Sequence, residues 1–169
     1  GDGSAAYILG PSKHEGRIKF SEPFTFAQYN RHCLGQASKH HRGPQMRTKA
    51  RDLQNVVMTN IGTFLQRSLL HMDLKWDEID HTYSHPTTPK AVKKGAKIAS
   101  DVLGEIKFLH NDSADTANTA STTHGVLLEK SLKNGYLQSN ETAILISFGS
   151  GLAILAMHFN LPEGVNEWS

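Results

Sequence analysis

Three short polar segments contain residue types that can perform acid–base and acyl chemistry. His85 lies in the run SHPTT, Asn118 lies in the run DTANTAS, and Ser150 lies in the glycine turn FGSG. A histidine can transfer a proton or donate a hydrogen bond near neutral pH, and an asparagine amide can donate without changing its charge. Glycines on either side of Ser150 allow its backbone N–H to approach a developing oxyanion closely. These residue types suit a site that stabilises negative charge on a carbonyl oxygen.

The polar segments follow predicted strands, which is where α/β enzymes commonly place their sites. His85 comes directly after a strand predicted over 81–83. A helix is predicted next, with Thr88 as its N-cap and Pro89 at its first position. We expect this helix to stop at Gly104.

The rest of the chain predicts an α/β domain. Apolar residues at helical spacing predict a long amphipathic helix over 49–72 and a shorter helix over 125–133. Further strands are predicted over 5–9, 105–109, 143–147 and 152–159, and residues 11–45 are expected to be mostly loop. This order of elements predicts a layered α/β fold with a mixed sheet, whose last two strands form an antiparallel hairpin.

Composition narrows the class of protein. The chain has 169 residues, with 38% hydrophobic and 20% charged residues, which suits one domain with its own core. A net charge of +2 does not indicate a nucleic-acid-binding protein, and no apolar run is long enough to span a membrane. A single cysteine cannot form an internal disulfide, so we expect a cytoplasmic location. A local basic bias suits an anionic partner; it comprises Lys49, Arg51, Lys90, Lys93, Lys94 and Lys97.

Four motifs in this order resemble the β-ketoacyl-ACP synthase III enzymes of the thiolase superfamily. The run HPTTPKAVKKGAKIA, beginning at His85, resembles the segment that starts at the family's catalytic histidine. Asn118 opens NTAS, which resembles the family's asparagine motif. The turn FGSG around Ser150 resembles the family's Phe-Gly-Gly-Gly turn. The first residues, GDGSAAYILG, resemble the Gly-Asp-Gly-Ala strand that closes the family's N-terminal half.

The resemblance implies a thiolase-like layered fold of which this chain supplies the C-terminal half. Residues 1–45 would be the end of the N-terminal half together with a substrate and dimer loop region. Residues 46–169 would be the catalytic C-terminal half. In that arrangement His85 and Asn118 are catalytic hydrogen-bond donors to the extender's thioester carbonyl, and the Ser150 backbone N–H belongs to an oxyanion hole.

The resemblance also implies which residues contact substrate and partner. Thr88, Lys90, Gly149 and Gly151 would contact the substrate or its carrier, with Lys90 facing the acidic acyl carrier protein. The substrates would be acyl-CoA or acyl-ACP thioesters, with no further cofactor and no metal. The enzyme would be a dimer.

Several positions depart from the family's pattern. Pro86 and Thr88 replace a glutamine and an asparagine, and Ser150 replaces a glycine. Asp115 lies three residues before Asn118 and could take the third polar role in its place. These departures leave the substrate and the extender open.

The nucleophile that the mechanism requires is not evident. A reactive thiolate is expected at a helix N-terminus, whereas Cys33 lies in the polar region NRHCLG. By the resemblance the nucleophile would precede Gly1, so we expect a fragment or one piece of a split protein, inactive alone. We expect the apolar helix face over 53–69 to need the missing half as cover. His32, Cys33, His40 and His41 match no standard zinc spacing.

Three functions remain open from the sequence. The leading hypothesis is decarboxylative Claisen condensation of an acyl thioester with a malonyl-type thioester, in fatty acid or polyketide biosynthesis. An acyltransferase of the same fold would instead move the acyl group to an alcohol or amine, with His85 as general base. A non-catalytic partner subunit of a heterodimeric ketosynthase would keep the fold alone.

Overall fold

The computed structural model describes residues 4–7, 18–40, 42–85, 87–111, 115 and 118–165. Residues 1–3, 8–17, 41, 86, 112–114, 116–117 and 166–169 lie outside these ranges. The helices are α1 (Ala50–Met72), α2 (Pro89–Leu103) and α3 (Thr123–Lys133). The strands are β1 (Ile18–Thr25), β2 (Cys33–Ala37), β3 (Pro44–Thr48), β4 (His81–Ser84), β5 (Leu109–His110), β6 (Thr142–Gly149) and β7 (Ala153–Asn160). Short 3₁₀ turns span Ala27–His32, Trp76–Glu78 and Ala120–Thr122.

A five-stranded mixed sheet forms the centre of the chain, in the order β1-β7-β6-β4-β5. β4 runs parallel to both β6 and β5, whereas β7 is antiparallel to β6 and to β1. The predicted α/β fold, the mixed sheet and the terminal hairpin are therefore confirmed. A separate two-stranded ribbon pairs β2 with β3.

The sheet has an apolar core on each face, because successive residues of a strand point to opposite sides. Ile144 and Ile146 of β6 join one core with buried residues of α1, whereas Ala143 of β6 joins the other with Tyr83 and with Leu127 of α3. Helices thus cover both faces, as a layered fold requires.

The long helix α1 closely matches its prediction, and the second part of its apolar face is covered within this chain. Ile61, Phe64, Leu65 and Leu69 are buried against the sheet. The expectation that residues 53–69 would be left exposed is therefore wrong from Ile61 onward, whereas Leu53, Val56 and Val57 are only half-buried.

The loop predicted over 11–45 is wrong for the part that the structure describes, which contains β1, β2 and the start of β3. β1 is an edge strand, so most of its side chains are exposed or half-buried and its sequence looks polar. Its buried Glu22 is bound by Arg67 of α1, with Arg67 Nη2 to Glu22 Oε1 at 2.7 Å. A partner 45 residues away therefore makes a polar strand stable.

Two other strand predictions were too long. Of the strand predicted over 5–9, residues 5–7 adopt no regular structure, and residues 8 and 9 lie outside the described ranges. Ala5 and Tyr7 lie close to Gly125 of α3, where a Cβ on Gly125 would be 2.6 Å from Ala5 Cβ. Residues 5–7 pack on this helix, and no strand pairing of these three residues is present. The strand predicted over 105–109 shrinks to β5, which pairs through only two residues.

Helix α2 starts where its capping sequence predicts. The Thr88 hydroxyl accepts a hydrogen bond from the Ala91 N–H at 3.1 Å, and Pro89 is the first helical residue. The helix ends at Leu103, and Gly104 follows with φ +106°, a conformation that favours glycine. The N-cap Thr88 thereby fixes the start of the helix, and Thr88 itself lies three residues after His85. No helix in the described ranges is long and apolar enough to cross a membrane.

Candidate active site

His85 is fixed at the end of β4 by the backbone of the neighbouring strand. Its N–H donates to the Ile146 carbonyl at 2.9 Å, which extends the β4–β6 pairing by one residue. Its side chain is 8% exposed, and its ring lies edge-on to Phe148, with 6.4 Å between centroids. Burial lowers the pKa of His85, so the imidazole is neutral at neutral pH.

A cavity of about 450 Å³ opens beside His85, between helices α1 and α2 and the ends of β4 and β6. Much of its wall is apolar and comes from the two helices, including Val57, Ile61, Val92 and Ala96. Its polar lining includes His85, Thr87, Thr88, Asn118 and Ser150. An apolar cleft with a few convergent polar groups is the usual form of a small-molecule site.

Asn118 reaches this cavity from the loop before α3. Its Oδ1 accepts a hydrogen bond from the Ala120 N–H at 2.8 Å, so the amide NH₂ is the group left to donate to a ligand. The loop is tied to the helix by the Thr119 and Thr123 hydroxyls, 3.1 Å apart.

Asp115 and Asn118 occupy different environments. Asp115 is exposed and pairs with Lys130, with Oδ2 to Nζ at 3.6 Å. Asp115 does not line the cavity, whereas Asn118 does. The geometry therefore favours Asn118 over Asp115 as the partner of His85.

The glycine turn contributes to the same cavity. Gly149 and Ser150 line it, but Gly151 does not. Gly151 has φ +112°, so the turn itself requires glycine there. The turn is anchored by the buried Leu152, whose carbonyl accepts a hydrogen bond from the Phe26 N–H at 2.9 Å. Ser150 is therefore exposed at the cavity, in a turn that the buried Leu152 holds in place.

Lys90 lies outside the cavity, exposed in the first turn of α2. Lys93, Lys94 and Lys97 are also exposed, so α2 presents a basic surface. Lys97 is paired within the helix to Asp101, with Nζ to Oδ2 at 2.9 Å.

Cys33 does not line the cavity that His85, Asn118 and Ser150 share. It begins β2, is half-buried, and its Sγ lies 3.4 Å from the Thr48 hydroxyl. Thr48 lines the cavity, but Cys33 does not. Within the described ranges no group of three or more His, Cys, Asp or Glu side chains could hold a metal ion; His41 lies outside those ranges.

A second histidine faces His85 and was missed by the sequence analysis. His124, in the first turn of α3, is 8% exposed, and its ring centroid lies 6.0 Å from that of His85. Burial and the nearby His85 lower the pKa of His124 to about 4. The signal in the sequence was its place on the buried stripe of α3, with Leu127 and Ser131 at helical spacing.

A separate hydrogen-bonded chain lies under the other end of α3. His81 Nε2 is 2.6 Å from Glu141 Oε2, and His81 Nδ1 is 2.9 Å from His110 Nε2. His110 Nδ1 is in turn 2.8 Å from the Ser131 hydroxyl. The Tyr83 ring stacks on His110 at 4.2 Å between centroids. His81 is 4% exposed and does not line the cavity.

Comparisons with known proteins agree with this architecture. The family model described as 3-Oxoacyl-[acyl-carrier-protein (ACP)] synthase III C terminal matches residues 69–161. These residues include β4, α2, α3 and the hairpin, and therefore His85, Asn118 and Ser150. A curated relative, the beta-ketoacyl-[acyl-carrier-protein] synthase III of Blochmanniella floridana, is 24% identical over 161 residues. That alignment covers 90% of this chain and 48% of the relative.

Solved structures show the same fold. The 3-oxoacyl-(acyl carrier protein) synthase III, FabH, from Pseudomonas aeruginosa PAO1 matches with a TM-score of 0.74 at 17% identity. The match covers 92% of this chain and 47% of that one. The priming beta-ketosynthase from the R1128 polyketide biosynthetic pathway matches with a TM-score of 0.75 at 18% identity, covering 91% and 47%. The chain thus spans about half the length of the proteins that it resembles.

Proposed function

The chain belongs to the 3-oxoacyl-[acyl-carrier-protein] synthase III family, and from this premise we propose that it is the C-terminal part of a condensing enzyme. The enzyme forms a C–C bond by decarboxylative Claisen condensation of an acyl thioester with a malonyl-type thioester. The observation that carries the proposal is the cavity that His85, Asn118 and Ser150 line together. Because the chain matches about half of its relatives, this activity is proposed for the whole protein.

The two side chains act on the extender. The neutral His85 and the Asn118 amide each donate a hydrogen bond to the thioester carbonyl oxygen. The bond to the carboxylate breaks, CO₂ leaves, and its electron pair forms an enolate that the two donors stabilise. Burial suits His85 to this step, because a charged imidazolium would also bind the malonyl carboxylate and stabilise the ground state.

The glycine turn acts on the acyl partner. The enolate carbon attacks the acyl thioester carbonyl and forms the new C–C bond, and the Ser150 N–H donates to the resulting oxyanion. The C=O bond then re-forms, the C–S bond breaks and the thiolate leaves. We assign the acyl-bearing cysteine to the part of the protein that corresponds to the unmatched half of the relatives, since Cys33 does not line the cavity and begins a strand, not a helix. Wall residues such as Val57, Ile61 and Val92 contact the apolar part of the substrate.

The basic surface of α2 receives the carrier of the extender. Lys90 lies two residues after Thr88, which lines the cavity, so a carrier bound there can deliver its arm into the site. We expect Lys90→Glu in the complete protein to raise the KM for an ACP-bound extender about 3- to 10-fold, and more at low salt. Lys133→Glu, on the exposed end of α3, is the matched control. Equal KM changes in the two variants would remove Lys90 from the docking surface.

The decisive experiment is product formation by the complete protein with and without malonyl thioester. Condensation requires the extender and releases one CO₂ for each product. Product that forms from the acyl thioester and an alcohol or amine, without CO₂, would identify an acyltransferase.

Paired variants of that protein test the donor assignment. We expect Asn118→Ala to lower kcat for malonyl decarboxylation about 10²-fold. Asp115→Ala should lower it less than 2-fold, because Asp115 faces solvent and Lys130. The reverse order would transfer the role to Asp115, whereas loss in neither variant would exclude both from the reaction.

A further inference from the structure

Three ring nitrogens next to the site have no hydrogen-bond partner among the residues that the structure describes. They are His85 Nδ1 and both nitrogens of His124, and all three are buried. Buried polar side-chain atoms in folded proteins nearly always have a partner, from the protein or from an ordered water. Since the two rings lie 6.0 Å apart between centroids, a group placed between them can satisfy nitrogens on both.

We propose that His124 positions His85 through one bridging water, which fixes His85 as the tautomer that carries its proton on Nε2. His124 donates an N–H to the water, and the water donates to His85 Nδ1. The inference rests on the proposed function, because it concerns the form in which His85 meets the thioester.

The chemistry of a neutral imidazole makes the tautomer matter. Such a ring has one N–H and one lone pair, and the hydrogen bond at one nitrogen decides which form the other takes. His85 Nδ1 is the buried nitrogen, so Nε2 is the one that can face the cavity lined by this ring. If Nδ1 carried the proton, the lone pair on Nε2 would repel the carbonyl oxygen, and the Asn118 amide would be the one side-chain donor of the proposed pair left to stabilise the enolate.

Two groups that contact His85 cannot donate to its Nδ1. The Ile146 carbonyl accepts from the His85 backbone, and the Phe148 ring is apolar. His124 is a polar ring that the structure places beside His85, with buried nitrogens that have no partner among the described residues.

The place of His124 is itself rigid. It lies on the buried face of α3, one turn from Leu127, which is 4% exposed. Two turns from His124 on the same face, Ser131 is hydrogen-bonded to His110 at 2.8 Å. Burial lowers the pKa of both His85 and His124, so the pair is neutral near pH 7 and each ring has one N–H.

The tautomer can be observed directly by long-range ¹H–¹⁵N correlation in the full-length protein with ¹⁵N-labelled histidine. In the wild-type protein we expect His85 to be the Nε2–H form. In His124→Phe, which removes the donor and keeps a ring, we expect a mixture of both forms and a kcat for malonyl decarboxylation about 10-fold lower, with KM little changed. In His124→Gln, whose amide can donate, we expect the Nε2–H form and most of kcat to return.

The control is His158→Phe, which replaces a histidine of the same 8% exposure, also with both nitrogens unpartnered among the described residues, on β7 away from the cavity. It should leave the His85 tautomer unchanged. His124→Leu gives a second apolar variant if His124→Phe does not fold.

The possible results separate the inference from the proposed function. An unchanged His85 tautomer in His124→Phe or His124→Leu, or a wild-type Nδ1–H form, overturns the inference, even in an enzyme that decarboxylates malonyl thioester. A tautomer change in those variants, reversed by glutamine, supports it. That reading holds even if the wild-type protein does not decarboxylate, a result that would refute the proposed function alone.

Discussion

Two pairs of buried histidines lie along the contact between β4 and α3, and they are bonded in opposite ways. His81 and His110 form a chain in which each ring nitrogen has a partner, ending at Glu141 on one side and Ser131 on the other. His85 and His124 leave three buried nitrogens without partners among the described residues. The first pair lies in the core on the α3 face, and the second adjoins the cavity.

The contrast separates two uses of the same side chain. A fully bonded polar network stabilises a unique arrangement of the core, because breaking any link leaves a buried group unsatisfied. A buried histidine without a partner is unfavourable for folding, but its donors remain available to a ligand. By this criterion His81 and His110 stabilise the fold, and our proposal assigns His85 and His124 to the reaction.

The strongest test of the contrast compares the loss of activity with the loss of stability in one variant from each pair. We expect His85→Ala in the complete protein to lower malonyl decarboxylation about 10³-fold and to change the free energy of unfolding by less than about 1 kcal/mol. His110→Ala should show the opposite pattern, with a loss of about 2–4 kcal/mol and a kcat for the folded fraction that falls far less than in His85→Ala. Steady-state kinetics and urea unfolding measure both. Large stability losses in both variants would abolish the distinction.

Acid should destabilise both pairs, since each contains a histidine whose pKa is lowered to about 4. An unfolded histidine titrates near 6.5, so between pH 6.5 and 4 the unfolded chain binds more protons than the folded one. Stability is therefore full above pH 6.5 and falls as the pH drops to about 4. The loss is at most about 3 kcal/mol for each of the two histidines.

Substitution of either ring tests whether these two histidines cause the pH dependence of stability. His110→Phe and His124→Phe should each flatten the dependence of unfolding free energy on pH between 6.5 and 4. The lowered pKa values of Glu22 and Asp80 also make stability fall with acid, but only from near their unfolded pKa values of 4.5 and 3.8 downward, so the part of the window between pH 6.5 and about 5 reports the histidines. His85 and His158, whose pKa values burial also lowers, should retain part of the slope. A slope that neither substitution reduces would contradict the assignment to His110 and His124.

A smaller effect is expected at the hydroxyl that ends the bonded chain. Ser131→Ala leaves His110 Nδ1 buried without its partner and should lower the free energy of unfolding by about 1–3 kcal/mol. In a double-mutant cycle with His110→Phe, the coupling energy should be about 1 kcal/mol. Additive losses would show that the 2.8 Å contact contributes nothing to stability.

Local sequence signals predicted much of the framework around the site. Thr88 and Pro89 marked the start of α2, and the glycines of the FGSG turn marked the hairpin. These signals are reliable because capping and turn chemistry act within a few residues. They also placed His85 and Asn118 at element ends, where the structure brings both to one cavity.

The features that sequence analysis missed depend on distant partners. The sequence of β1 is polar and was therefore predicted to be a loop. Its buried Glu22 is neutralised by Arg67, which lies 45 residues away in the sequence. The chain from Glu141 to His81 joins residues 60 apart, and no local pattern encodes it. His124 is hidden for another reason: a histidine on a helix stripe reads as an ordinary core position until the fold places it against His85.

Helix α3 joins the two histidine pairs mechanically, since His124 and Ser131 project from the same face two turns apart. A substitution that weakens the Ser131–His110 contact also shifts the position of His124. The effect of that substitution therefore depends on which residue is present at position 124. Epistasis is therefore built into this helix. Under the proposed function, selection on catalysis therefore also acts on Ser131 and His110, which do not line the cavity. In related sequences these positions should change together with position 124.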